Sequence, residues 1–181
     1  MRKKVVTLML VIALVGLASA GMAIGKNLTK ANIPNGPAGR SPIAHLYLYE
    51  KDPETWEIVE DGAWGKMKYN QYGPDFNFVF NGHQLEPGYD YTLIYYPDPW
   101  PGEGLVCIGE GTADIDGNVH IQGSVDTGDM PSMDDDNFDL GAKIWLVLSD
   151  DVDCIAANMI GWNPIEYLFE YDLISFDDTD F

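Results

Sequence analysis

The chain has 181 residues, 46% hydrophobic and 12% aromatic, with ten basic and 29 acidic side chains for a formal charge of −19. Such acidity argues against nucleic-acid binding, which needs a basic footprint to displace phosphate counterions, and against electrostatic docking on anionic lipid. The apolar and aromatic content argues against wholesale disorder and suffices for one core.

In chain order, the first element is an export signal. Arg2, Lys3 and Lys4 form a basic start, an apolar run follows from Val5 to Leu17, and Ala18-Ser19-Ala20 offers small residues for cleavage before Gly21. This is the layout of a secretory signal peptide over residues 1–20. The apolar character continues to Gly25, about 21 residues from Val5, so an uncleaved anchor is the alternative and the only route to a membrane. No lipobox cysteine is present. Cleavage removes three basic residues and no acidic ones, leaving seven against 29 and a charge of −22. Residues 21–43 read as a flexible lead-in rich in Gly, Pro, Asn and Lys, with a glycosylation sequon at Asn27-Leu28-Thr29.

Residues 44–176 change character to short alternating runs separated by turn residues, which predicts an all-β fold. His45 to Tyr49 alternates, and Thr55 to Val59 and Trp64 to Tyr69 are shorter candidates. Phe76, Phe78 and Phe80 share one face, as do Tyr91, Leu93 and Tyr95, and Val119 and Ile121. Leu105 to Ile108 and Ile144 to Leu148 are continuous apolar runs, expected for central strands. Asp116-Gly117 predicts a hairpin turn before Val119. Asp150 to Met159 has room for a helical turn, and Tyr167, Phe169, Tyr171 and Leu173 predict a last strand. The sum is an antiparallel, immunoglobulin-like β-sandwich of about nine strands, followed by an acidic tail at 177–181.

Cys107 and Cys154 are the only cysteines. In an exported chain they predict a disulfide closing a loop of about 47 residues, worth on the order of 3–4 kcal/mol.

The segment Leu85-Glu86-Pro87-Gly88-Tyr89-Asp90-Tyr91-Thr92-Leu93 resembles the corner before the penultimate strand of fibronectin type III and other immunoglobulin-like domains. That resemblance implies that the Tyr91 hydroxyl bonds back to the backbone of the corner. About four strands follow it here, more than the family pattern has after that corner. More broadly, three stretches resemble uncharacterised secreted proteins of methanogenic archaea. They run from His45 to Pro53, from Ile94 to Gly102 and from Trp145 to Cys154. This resemblance implies a secreted β domain without an assigned activity.

Four constellations bear on chemistry. Tyr95-Tyr96-Pro97-Asp98-Pro99-Trp100-Pro101-Gly102-Glu103-Gly104 is the best binding candidate: prolines on both sides of Trp100 fix the loop, so a ligand stacks at low entropic cost. Tyr96 and Trp100 supply aromatic surface, and Asp98 and Glu103 are placed to orient sugar hydroxyls or to hold a cation. Trp56, Trp64, Trp145 and Trp162 read as core. The acidic stretch with Asp126, Asp129, Asp134, Asp135, Asp136 and Asp139 is a Ca²⁺ candidate, with Asp126, Asp129, Asp134 and Asp136 as ligands, although its spacing is not that of an EF-hand. Asp126-Thr127-Gly128 matches the aspartic-protease string, but without a second copy it reads as a polar turn. His45, His83 and His120 lack metal-ligand spacing, with His45 and His120 the one pair placed to meet across a sheet.

These features point to a secreted, non-catalytic binding or cell-envelope module for glycan or extracellular protein. A secreted hydrolase is the alternative, and a structural surface-layer component the third reading. No catalytic residues are assigned.

Overall fold

The computed structural model describes residues 42–180, so the signal segment, most of the lead-in and the sequon lie outside the described residues. The fold is all-β with antiparallel main sheets. Five strands form the larger sheet: β1 (Ile43–Tyr49), β2 (Trp64–Asn70), β4 (Phe76–His83), β7 (Val119–Val125) and the short β11 (Phe169–Glu170). Their order is β11-β1-β2-β4-β7. The second sheet holds β5 (Asp90–Tyr96), β6 (Val106–Thr112) and β8 (Lys143–Leu148) in the order β6-β5-β8. Two small pairs complete the set: β9 (Val152–Asp153) with β10 (Asn158–Met159), and β3 (Tyr72–Gly73) in parallel with β12 (Asp177–Asp178). Part of the predicted acidic tail is thus paired. Among the described residues no helix is long and apolar enough to cross a membrane.

The period-two pattern explains the larger sheet. Leu46 and Leu48 on β1, Met67 and Tyr69 on β2, Phe76, Phe78 and Phe80 on β4, and Val119 and Ile121 on β7 all point inward and are buried. They share one core with Tyr91, Leu93 and Tyr95 of β5 and Ile144 and Leu146 of β8. The opposite faces of β5 and β8 are buried too. There Ile94, Tyr96, Trp145 and Val147 form a second core with Leu105, Val152, Met159, Tyr167 and Phe169.

Several elements depart from the sequence pattern for physical reasons. Asp116-Gly117 turns the chain but closes no hairpin, because β6 and β7 belong to different sheets. The Asp114 carboxylate accepts the N–H groups of Asp116 (2.9 Å) and Asn118 (2.8 Å) and holds this turn. The bare α-carbons of Gly109 and Gly111 let Ile121 and Val119 pack directly onto β6. A Cβ at either glycine would lie 2.7 or 2.8 Å from those side chains. Strand β6 is at an edge, so the run Leu105 to Ile108 is apolar because both of its faces are covered, not because it is central.

Thr55 to Val59 forms no strand beyond a single bridge, Lys51 to Ile58. The Asp52 carboxylate takes the N–H groups of Glu54 and Thr55, both at 2.9 Å, and turns the chain instead. Ser149–Asp151 is one short 3₁₀ turn, so only the start of the 150–159 segment is helical. The last predicted strand shrinks to Phe169–Glu170 because the segment changes sheets. Leu168 bridges Leu146 of β8, and two residues later Glu170 pairs with Leu48 of β1. Tyr171 is correspondingly exposed.

The Tyr91 hydroxyl, fully buried, accepts the Glu86 N–H at 3.3 Å and braces the corner before β5. Burial pushes this phenol up to about 12. Cys107 on β6 and Cys154 after β9 form a disulfide with their α-carbons 5.8 Å apart.

Candidate functional site

The second core is open on one side, where a cavity of about 640 Å³ is lined by Lys51, Trp56, Tyr96, Asp98, Trp100, Lys143, Trp145, Trp162, Phe169 and Glu170. Its floor is Trp145, 6% exposed, stacked on Tyr96 with ring centroids 3.9 Å apart and planes 12° from parallel. Phe169 meets the Trp145 ring edge to face at 5.2 Å. Trp56, Trp100 and Trp162 rise around this floor and are 50%, 52% and 42% exposed. Trp162 stands near the centre, 5.4 Å from Trp100 with planes 80° apart and 6.4 Å from Trp56.

Each wall has a local cause. Trp100 sits between Pro99 and Pro101 in a loop pinned at both ends: Gly102 N–H donates to the Pro99 carbonyl (2.8 Å) and Met159 N–H to the Pro101 carbonyl (2.9 Å). Gly102 has φ +76°, and a Cβ there would come within 2.5 Å of the Tyr96 ring, so glycine lets the loop lie on that aromatic face. Trp56 is held outward by the turn at Asp52, with φ 60° at Trp56 itself. Trp162 depends on a buried carboxylate. Asp151 accepts the Tyr167 hydroxyl (2.6 Å) and the Asn163 side-chain amide (2.7 Å), while its carbonyl takes the Ile160 and Gly161 N–H groups. Burial, with the hydrogen bond to Asp151 second, pushes the Tyr167 phenol above its ordinary range.

The polar groups of the cavity are arranged in two sets. The Asp98 carboxylate accepts Lys143 and the Asn137 side-chain amide, and its N–H donates to Asp135 at 3.2 Å. The Glu170 carboxylate accepts the Trp145 indole N–H at 2.6 Å, and the Glu170 carbonyl accepts Lys51 at 2.9 Å. Burial raises the Glu170 carboxyl above the usual carboxylate range, against the smaller pull of its own backbone N–H, Lys51, the Trp145 bond and Lys143. Burial, then the charges of Asp98 and Asp135, push the Tyr96 phenol up to about 12.

Of the four binding residues expected from sequence, Tyr96, Asp98 and Trp100 meet in this cavity. Glu103 is exposed and lies outside its lining. Trp56 and Trp162, expected in the core, are instead half-exposed walls, Trp145 is buried as its floor, and Trp64 is half-buried elsewhere against His83. Lys51, Lys143 and Glu170 escaped sequence reading, because they are scattered and only the fold gathers them. The Asp52-Pro53 turn signal before Trp56 was the one local hint of an outward tryptophan.

Asp126, Asp129, Asp134 and Asp136 are all exposed. Among the described residues no three His, Cys, Asp or Glu side chains are grouped to hold a metal ion. Asp135 is the exception in that loop: buried, it accepts the Tyr95 hydroxyl at 2.7 Å and ties the loop to β5. Asp126-Thr127-Gly128 leaves β7 as a polar turn, with Gly128 N–H on the Asp126 carboxylate at 3.4 Å. His45 faces Lys68 on β2 and His120 faces Asn81 on β4, so two strands separate these histidines and they do not meet.

Comparisons with protein families, with curated proteins and with solved structures give no match for this chain.

Proposed function

We propose that this chain is a secreted, non-catalytic binding module of the cell envelope that takes a glycan in the Trp100 cavity. One observation carries the reading: four of the five tryptophans, Trp56, Trp100, Trp145 and Trp162, line one cavity with polar groups among them. Half-exposed indole faces are costly to leave in water, and sugar rings cover such faces while their hydroxyls reach nearby charges. The proline-framed Trp100 loop is ordered before binding, which lowers the entropic cost of capture.

The test is a glycan array probed with the wild-type protein and with Trp100→Ala. Retention of a saccharide by the wild type and its loss in the variant is the expected outcome; no retained saccharide on a broad array overturns the reading. Export is tested by sequencing the N-terminus of protein recovered from outside the cell, where a start at Gly21 is expected. An immunoglobulin-like arrangement is part of the proposal. Its support is the shared core between the two larger sheets and the Tyr91 hydroxyl on the Glu86 N–H.

The second reading, a hydrolase, draws on Asp98 and Glu170, two carboxyl groups in one cavity, one of them raised by burial. Release of reducing ends from a bound oligosaccharide, lost in Glu170→Gln, would favour it over simple binding.

A further inference from the structure

We infer that the cavity selects an acidic saccharide, a sugar ring bearing a carboxylate or a sulfate, with Lys51 pairing the anionic group and Trp56, Trp100 and Trp162 covering the ring. This rests on the binding-module reading above.

The argument is one of charge placement. The described residues hold four lysines, no arginine and all 29 acidic side chains. Two of those four lysines, Lys51 and Lys143, line this one cavity. The other two, Lys66 and Lys68, lie on β2, so half of the described cations stand beside this one aromatic surface.

The two lysines are not equivalent. Lys143 is engaged with Asp98, the single ion pair among the described residues. Lys51 donates instead to a neutral acceptor, the Glu170 carbonyl. The Glu170 carboxyl beside it is shifted toward its uncharged form by burial. The cavity therefore presents a lysine that is held by a backbone carbonyl and forms no ion pair among the described residues, in apolar surroundings where a pairing with an anion is screened less than at the open surface.

Alternative ligands fit less well. A quaternary ammonium suits an aromatic box, but Lys51 would repel it, and Asp98 and Lys143 already offset each other. A neutral sugar would use the indole faces and leave Lys51 unanswered. An acidic sugar uses both.

The four indoles of the cavity provide the readout. Intrinsic fluorescence is titrated at fixed ionic strength with oligogalacturonate, with the neutral galacto-oligosaccharide of equal length, and with its sulfated counterpart. The proteins are wild type, Lys51→Gln, Lys51→Arg and Trp100→Ala. The expected result is a preference of about tenfold or more for an acidic over the neutral probe, erased by Lys51→Gln, kept by Lys51→Arg, with all binding weakened by Trp100→Ala. The carboxylate and sulfate arms show which anion is favoured, and a preference for either upholds the inference.

Equal binding of neutral and acidic probes, or a preference that survives Lys51→Gln, overturns the inference while leaving the binding-module reading intact. Absence of binding by every saccharide overturns both. Melting curves show whether Lys51→Gln is folded. If it is not, the wild-type ratio and Lys51→Arg decide, with a ratio near one or a preference lost in Lys51→Arg counting against the inference.

Discussion

The core between the two larger sheets and the core behind the cavity differ in how they are built. In the first, regular strands deliver one side chain every second residue: Phe76, Phe78 and Phe80 face Leu93 and Ile144 across the interior, and each is buried. In the second, one wall is regular, from β5 and β8, but the other is assembled from the Trp100 loop, the β9–β10 pair and the segment around Tyr167. The first is closed by repetition. The second is held by individual contacts, such as Asp151 with Tyr167 and Gly102 on Tyr96. A surface built from such contacts leaves room for an opening, which the repetitive core does not.

Substitutions separate the two. Phe80→Ala strikes the repetitive core, where the ring also fills the space above Gly65. It should cost about 3–5 kcal/mol, measured by denaturant unfolding. A cost under about 1 kcal/mol would mean that the two cores do not differ in this way. Next comes the disulfide. Replacing Cys107 and Cys154 with Ser should cost about 2–4 kcal/mol and, on the binding reading proposed above, lower saccharide affinity as well, because Ala157 and Met159, which follow Cys154, hold Gly104 and Pro101 of the Trp100 loop. Loss of stability with unchanged affinity would contradict the second effect.

Tyr167→Phe removes one bond to Asp151 and leaves the Asn163 amide on it. A cost of about 1–2 kcal/mol is expected, together with a changed fluorescence of Trp162. Glu170 then sharpens the contrast through pH. Its carboxyl is raised in the fold by burial, so the native state holds this proton more tightly than the unfolded chain. Its contribution is fully present below the unfolded-state value and is lost as pH rises through the folded one. Glu170→Gln should flatten that part of the stability–pH curve, which a melting series of both proteins from acid to neutral pH measures; parallel curves would refute it.

The smallest effect on stability belongs to Trp100→Ala, within about 0.5 kcal/mol, because half of that side chain is already in water. Its effect on saccharide affinity should be more than about tenfold. A large drop in melting temperature would instead make Trp100 a structural plug.

The contrast also explains what could be read from sequence. Alternation at Phe76-Phe78-Phe80 and Tyr91-Leu93-Tyr95 is a local property, so the strands of the repetitive core were legible. So was Trp100, because its prolines are its neighbours. Trp56 and Trp162 read as core because an indole itself gives no sign of facing out, and only the Asp52-Pro53 turn before Trp56 hints at it. Lys51 and Glu170 meet through the pairing of Leu48 with Glu170 on adjacent strands, a register that no short window encodes. The Asp116-Gly117 turn has hairpin chemistry, yet its two strands lie in different sheets, where Gly109 and Gly111 leave room for Ile121 and Val119 to pack on β6.

The Cys107–Cys154 bond joins the edge strand β6 to the chain between β9 and β10, next to Ala157, whose carbonyl receives the Gly104 N–H. It therefore cross-links the scaffold to the segment that holds the Trp100 loop in place. With the thiols reduced, the segment that holds the Trp100 loop would be joined to β6 by non-covalent contacts alone. If the cavity takes a ligand as proposed, oxidation would set how firmly one of its walls is held before that ligand arrives.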